Sequence, residues 1–385
     1  MNPTDRFAAA VRAMHGSPAY ALVESLGAAL EPGYGVVGCE LMLVDYRLEM
    51  LCPVLSPGRV VPVVGTPEGR VFTEQRVVVR PTPNGVQVLL PVTTRGDRFG
   101  VLVLDRAAGP DAATTAELAD LAVALAHEVR AVDETTDRFR LARRRDRLTL
   151  AAEIQWALLP GRSIARPELT LAGNLEPAYA VRGDNYDWSS EAGHVTVTMT
   201  NGHGDGIEAA LLTVLATTAV RNARLAGAGL ADQASLADQA IYAQHRGGRH
   251  ISMVLLRVDL ATGRVAAVDA GSPVLLRVRG DAVGPVALEP QLPLGMFEST
   301  VYREQEFALV PGDRLFVLSD GVHDSPYADR RYGEHGRLRQ TVTTTRKLSA
   351  AEAVRAVFAD HAVFRQGQPL DDDAAVLCLD WHGTG

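Results

Sequence analysis

Four acidic clusters contain the residue types that could do chemistry: Val181-Arg-Gly-Asp-Asn-Tyr-Asp187, Asn201-Gly-His-Gly-Asp-Gly-Ile-Glu-Ala-Ala210, Ser319-Asp-Gly321 and Asp371-Asp-Asp373. Each sits beside glycine or at the end of an apolar run. Hard divalent cations take their ligands from carboxylate oxygens, and a pair of them lowers the pKa of a bridging water and clamps an in-line displacement at phosphorus. Together the clusters suit a two-metal phosphate-ester hydrolase. Singly they say less, since Asp320-Gly321 also fits a turn and Asp371 to Asp373 a solvated loop.

The elements that must position these residues are predicted strands. Val195 to Thr200, Arg314 to Ser319 and Ala374 to Leu379 are apolar or alternating runs of strand length. Three of the clusters therefore lie at strand ends, where loops from distant parts of the chain can converge on a metal.

Further motifs stand in the same order along the chain: Ala151-Ala-Glu-Ile-Gln-Trp-Ala-Leu-Leu-Pro160, Gly183-Asp-Asn-Tyr-Asp187, Pro311-Gly-Asp-Arg-Leu315, Ser319-Asp-Gly-Val322, Tyr332-Gly-Glu334 and Asp372-Asp-Ala-Ala375. This series resembles the SpoIIE-like, or RsbU-like, branch of the metal-dependent protein serine/threonine phosphatases, the PPM family, from about Leu148 to Trp381. The branch's patterns are A-x-x-I-Q-x-x-L-L-P, G-D-x-Y-D, P-G-D-x-L, T/S-D-G-V/L, F-G-E and D-D-x-T/A. The resemblance implies two Mn2+ or Mg2+ ions, with Asp184, Asp320 and Asp373 as ligands and catalytic residues. Asp187 and Asp372 are second choices or outer-shell acids, and the Gly202 carbonyl is a backbone candidate. It also implies hydrolysis of phosphoserine or phosphothreonine on a protein, such as an anti-sigma-factor antagonist in a bacterial partner-switching pathway.

The second motif departs from the branch's D-V-x-G-H-G-x-x-A-A. Aligned through Gly206-Ile-Glu-Ala-Ala210, it puts Asn201 where the resemblance expects the aspartate that bridges both metals, and Asp205 at the usual His or Lys. An amide oxygen can bind one hard cation but lacks the charge and second oxygen that hold two. Three readings stay open: a tight Asn-Gly turn, compatible with either of the others; a weakened enzyme in which Asp205 or Asp187 restores charge; and a pseudophosphatase serving as a signalling or protein-binding module. A second departure is Asp269-Ala-Gly-Ser-Pro273, where Ser272 replaces the histidine of N-A-G-H-P. His203, beside the site, is either an exposed loop residue or a proton donor to the leaving alkoxide.

The 385 residues are 47% hydrophobic and 22% charged, which suits a folded chain with a sizeable core. A net charge of −8 argues against a nucleic-acid partner. No apolar run is long enough to cross a membrane, and Met1-Asn-Pro-Thr-Asp5 lacks a basic start. Cys39, Cys52 and Cys378 form no metal motif and suit a reducing cytoplasm.

An α/β chain with three parts is expected. Residues 1–108 hold predicted strands at Val36 to Asp45, Val86 to Thr93 and Phe99 to Asp105, a hairpin turn at Thr94-Arg-Gly-Asp97 and a short helix at Gly69-Arg-Val-Phe72. This pattern resembles a GAF sensory domain, whose pocket holds a small molecule or is filled by its own side chains. Residues 109–160 read as a helical linker of one long helix or two, with Leu118, Leu121, Leu125 and Val129 on one face and a looser stripe through Leu158. Such a stripe predicts a coiled-coil homodimer. The arginine-rich run from Arg138 to Arg147 reads as a solvated helical face. Residues 161–385 are expected to form a PPM-type α/β sandwich of two antiparallel sheets flanked by helices.

Overall fold

The computed structural model describes residues 3–56, 58–145, 148–178 and 181–384. The chain divides into two compact units, Met1–Arg147 and Leu148–Gly385. Met1, Asn2, Asp146 and Arg147 lie outside the described residues, and with them the start of the N-terminal segment and one arginine of the basic run.

The first unit runs α1 (Pro3–Gly16), α2 (Leu22–Tyr34), β1 (Val36–Val44), β2 (Met50–Pro53), β3 (Val61–Pro62), α3 (Pro67–Glu74), β4 (Val78–Thr82), β5 (Gly85–Thr94), β6 (Asp97–Arg106), α4 (Ala112–Val132) and α5 (Arg138–Arg143). Its six strands form one antiparallel sheet in the order β3-β2-β1-β6-β5-β4. Alternate residues of a strand face opposite sides. Leu41, Leu43, Leu102 and Leu104 pack under α1, α2 and α4, while Met42, Val44, Val101 and Val103 pack against α3. Because both faces are buried, β6 reads Val-Leu-Val-Leu and shows no polar alternation. Arg95 and Gly96, both at positive φ, make the two-residue turn joining β5 to β6. The short helix α3 is capped at its N-terminus by the Thr66 hydroxyl.

The connector differs from the sequence expectation. It is three helices, α4, α5 and α6 (Leu150–Leu158), interrupted by a polar turn at 133–137 and again after Arg143. Leu118, Leu121, Leu125 and Val129 are at most 2% exposed, because β5 and α1 cover them within the same unit. The sequence reading assigned no element to Pro3–Gly16, so a stripe that α1 covers looked open. It offers no seam to a second copy, and the dimer inferred from it loses its basis. Arg138, Arg140 and Arg145 pair with Glu24, Asp133 and Asp45, as a solvated basic face should.

After α6 the second unit runs β7 (Ser163–Ala165), β8 (Leu169–Glu176), β9 (Asn185–Ser190), β10 (His194–Asn201), α7 (Gly206–Leu225), α8 (Leu230–His245), β11 (Ser252–Asp259), β12 (Arg264–Ala270), β13 (Val274–Arg279), β14 (Ala282–Pro285), β15 (Gln305–Ala308), β16 (Arg314–Leu318), α9 (Asp320–His323), the small hairpin β17 (Pro326–Tyr327) and β18 (Arg330–Arg331), α10 (Arg337–Thr344), α11 (Ala350–Phe364) and β19 (Ala374–Trp381). Two antiparallel sheets result, β15-β12-β11-β10-β9 and β14-β13-β16-β19-β8-β7. Their inner faces meet through Val197, Met199, Val254 and Leu256 on one side and Leu171, Val317, Leu377 and Leu379 on the other. The outer face of the first sheet carries α7 and α8 on Met253, Leu255 and Val268. That of the second carries α10 and α11 on Phe316, Leu318 and Cys378. The result is the expected four-layer sandwich. No helix among the described residues is long and apolar enough to cross a membrane.

One core residue of α11 sets an acid limit on stability. His361 is fully buried beside the Tyr332 ring, neither ring nitrogen has a hydrogen-bond partner, and burial lowers its pKa to about 3. The folded pKa lies below the ordinary value near 6.5, so the neutral ring favours folding and that contribution is lost as pH falls from about 6.5 toward 3. Denaturant midpoints should therefore decline below pH 6, at up to about 1.4 kcal/mol per pH unit from this residue. His361→Leu should flatten that limb. An unchanged slope in the variant would remove His361 as the cause.

Candidate metal centre

Strand register brings the acidic clusters together. In the first sheet Thr200 of β10 pairs with Asn185 of β9, so Asn201 and Asp184 emerge side by side. In the second, Leu318 of β16 pairs with Val376 of β19, which sets Asp320 next to Asp372 and Asp373. Ser319 secures this junction: its backbone N–H donates to the Ala375 carbonyl at 3.1 Å, and its Oγ accepts from the Ala375 N–H at 2.9 Å. Two glycines allow the close approach. A Cβ on Gly202 would lie 1.9 Å from the Arg182 carbonyl oxygen, and one on Gly321 would lie 1.8 Å from that of Asp373.

Asp184, Asp320 and Asp372 each offer a carboxylate oxygen, and these atoms lie within 4.8 Å of one another. Asp184 is 1% exposed, with Oδ1 accepting from the Gly202 N–H at 3.2 Å. Burial, then repulsion from Asp320, Asp373 and Asp372, holds its pKa well above the usual carboxylate range. Burial also raises Asp320. Asp372 is pushed up to about 7 by burial and by the charges of Asp320 and Asp373. Crowded carboxylates of this kind are neutralised by protons or by a cation.

The other two predicted acids do different work. Asp373 is fully buried and turned inward: Oδ2 accepts from the backbone N–H groups of Arg182 (2.8 Å), Gly183 (2.8 Å) and Asp184 (3.3 Å) and from Gln155 Nε2 (2.8 Å), while Oδ1 accepts from the Ala178 N–H (2.7 Å). With its oxygens so occupied it anchors the loop bearing Asp184, and Asp372 takes the place in the cluster expected of Asp373. Asp187, 2% exposed, is held by Arg221 at 2.8 and 3.1 Å and by Arg224 at 3.2 Å, which leaves it no role as a ligand. Removing one partner of a buried ion pair costs about 3–5 kcal/mol. Asp187→Ala should therefore lower the unfolding free energy by about that amount in a denaturant titration while Mn2+ affinity is unchanged. Lost Mn2+ binding in a folded variant would restore Asp187 as a ligand.

Asn201 is 2% exposed, its Nδ2 donates to the Ser272 hydroxyl, and its Oδ1 is buried without a hydrogen-bond partner. The two departures that the sequence shows 71 residues apart are thus one contact. Asp205 is exposed, and its side chain makes no cap hydrogen bond to α7. Gly202, Asp205, Asp320 and Asp372 line an open cavity of about 460 Å3, together with Arg182 and Arg249. His203, also on this cavity, stacks on His250 with ring centroids 4.8 Å apart. Arg182, Arg249, His250 and the anchoring role of Gln155 went unassigned in the sequence reading. Only Gln155 left a signal there, as the polar residue in an otherwise apolar entry helix.

The donor set fits a hard divalent cation: three carboxylate oxygens at a spacing suited to metal–oxygen bonds of about 2.0–2.6 Å, and a buried amide oxygen nearby with nothing to accept. Residues 191–382 match the family model described as Stage II sporulation protein E (SpoIIE). The match takes in Asn201, Asp320, Asp372 and Asp373 and begins after Asp184. Most of the second unit is thus similar to the SpoIIE family.

Among solved structures, the RsbU and RsbW domains of a Mycobacterium tuberculosis protein are 21% identical, with a TM-score of 0.49, over 59% of this chain and 63% of that one. The phosphatase domain and a regulatory fragment of Bacillus subtilis SpoIIE are 18% identical, with a TM-score of 0.48, over 57% and 65%. The PP2C domain of Pseudomonas aeruginosa SiaA is 21% identical, with a TM-score of 0.49, over 55% and 84%. The chain thus spans less than two thirds of the length of the first two. No curated protein matches it in sequence.

Proposed function

We propose that the second unit is a divalent-metal-dependent phosphatase acting on phosphoserine or phosphothreonine of a protein. The observation that carries this reading is the meeting of Asp184, Asp320 and Asp372 at strand ends of two sheets, beside an open cavity that Asp320 and Asp372 line. Mn2+ or Mg2+ bound there supplies Lewis-acid activation of water and neutralisation of phosphoryl charge. The protein's own groups orient the site. Asp373 and Gln155 fix the loop that carries Asp184, and Gly202 lets the end of β10 approach the Arg182–Gly183 backbone that leads to Asp184. Arg182 and Arg249 place positive charge on the cavity wall, where the oxygens of an incoming phosphate need it. An open, polar cavity suits a phosphorylated residue on an exposed protein segment. The resemblance to the RsbU-like branch favours an anti-sigma-factor antagonist as that protein, in a cytoplasmic partner-switching pathway.

The first unit is read as a GAF-like sensor regulating the second. The support is its antiparallel sheet with helices on both faces, together with the motif pairing on β5 and β6. A small-molecule ligand for it belongs to this reading.

A second reading is favoured by one contact. Asn201 is fixed by Ser272 and carries no charge, so the same fold would also serve as a pseudophosphatase that binds a phosphoprotein without turning it over. Phosphate release from a phosphoserine peptide by the full chain separates the two. Turnover that requires Mn2+ and stops with EDTA supports the enzyme. Peptide binding with no release at saturating Mn2+ supports the pseudophosphatase.

A further inference from the structure

The acidic groups around the cluster differ in what charge they have left to offer. Asp187 is matched by two arginines, and Asp373, whose charge still acts on Asp184 and Asp372, spends its oxygens on five hydrogen bonds and so offers a cation no free lone pair on that side. Asn201 is neutral. That leaves Asp184, Asp320 and Asp372 as the carboxylates facing one another. Into this cluster reaches a cation belonging to the chain itself: the Nε of Arg182, a half-exposed side chain, lies 4.0 Å from Asp372 Oδ2. Arg249, the other arginine on the cavity, is paired with Glu208.

We propose that the centre holds one divalent cation, with the guanidinium of Arg182 standing where a second metal's charge would be needed. The proposal rests on the metal-dependent reading above and deepens it. The ligand geometry and chemistry set the count: three carboxylate oxygens within 4.8 Å of one another suit a single cation. The buried Asn201 Oδ1 can complete the shell of one cation, but it lacks the second oxygen and the charge that bridging two would take. Arg182 is left on the open side of the cluster, over Asp372, where it can also meet the phosphoryl group of a substrate.

Native mass spectrometry of the full chain titrated with Mn2+ reads the stoichiometry without reference to activity. The expected result is one Mn2+ per chain, lost in Asp320→Asn. The double variant Arg182→Gln/Asn201→Asp removes the resident cation and restores a carboxylate, so it should take up two. Two Mn2+ on the wild-type chain would overturn the single-cation assignment and leave the phosphatase reading standing. No Mn2+, or Mn2+ that Asp320→Asn does not displace, would overturn both. One Mn2+ on the wild type and also on the double variant would overturn the role given to Arg182.

Discussion

Asp184→Asn should produce a chain that no longer responds to Mn2+ and that, without metal, melts higher than the wild type at neutral pH. The two effects have one cause. Asp184 sits 1% exposed among Asp320, Asp372 and Asp373, and burial with like-charge repulsion raises its pKa well above the usual range. A carboxyl whose folded pKa is raised favours folding at pH values below its unfolded pKa of about 4 and loses that contribution as pH rises toward the folded value. In the metal-free protein near neutrality it is therefore a liability that the isosteric amide lacks. A gain of about 1 kcal/mol would appear as a rise of roughly 2–4 °C in a domain of this size. The advantage should shrink at pH 4, where the aspartate of the unfolded chain is itself largely protonated. The metal response goes the other way: losing a ligand should weaken Mn2+ binding by more than the roughly 10- to 100-fold typical of outer-shell partners. Thermal melts with and without Mn2+ report both. A variant still stabilised by Mn2+ as the wild type is would remove Asp184 from the centre.

Asn201→Asp should have the opposite sign on affinity. The substitution keeps the shape of the side chain, and an aspartate oxygen can accept from the Ser272 hydroxyl that the amide now donates to, so the local geometry survives. It adds a negative charge and a second oxygen beside Asp184, where a cation's field is poorly screened. Mn2+ binding measured by calorimetry should tighten by about tenfold or more, equivalent to about 1.4 kcal/mol. Phosphopeptide turnover should rise most at low Mn2+. Unchanged affinity together with unchanged turnover would show that Asn201 does not face the metal, and the pseudophosphatase reading would then be the better one.

The sequence showed which parts of the chain carry the chemistry more clearly than which side chains face it. The strands ending at Asn201 and Leu318 and the one beginning at Ala374 were legible because their apolar runs are bounded by glycine and aspartate. The run Asp371-Asp-Asp373 is a bend ahead of β19. Composition does not say which of its side chains faces the cavity. The structure settles it by spending Asp373 on the backbone of Ala178, Arg182 and Gly183 and leaving Asp372 to the cavity. Asp187 looked like a ligand because it ends a motif, while its partners Arg221 and Arg224 are brought to it by one face of α7, three residues apart on a helix. The contact of Asn201 with Ser272 depends on strand order in the first sheet, which pairs β10 with β11 and β11 with β12. In the first unit the stripe on α4 was legible as a helix face, and α1, which covers it, was not assigned.

The most direct test of the centre is the anomalous difference map of crystals soaked in Mn2+. A peak is expected bonded to Asp184, Asp320 and Asp372 at about 2.0–2.6 Å, with Asp373 still holding the loop that carries Asp184 and Asp187 still paired to its arginines. A peak bonded to Asp373 or Asp187 in place of Asp372, or no peak among these carboxylates at saturating Mn2+, would contradict it.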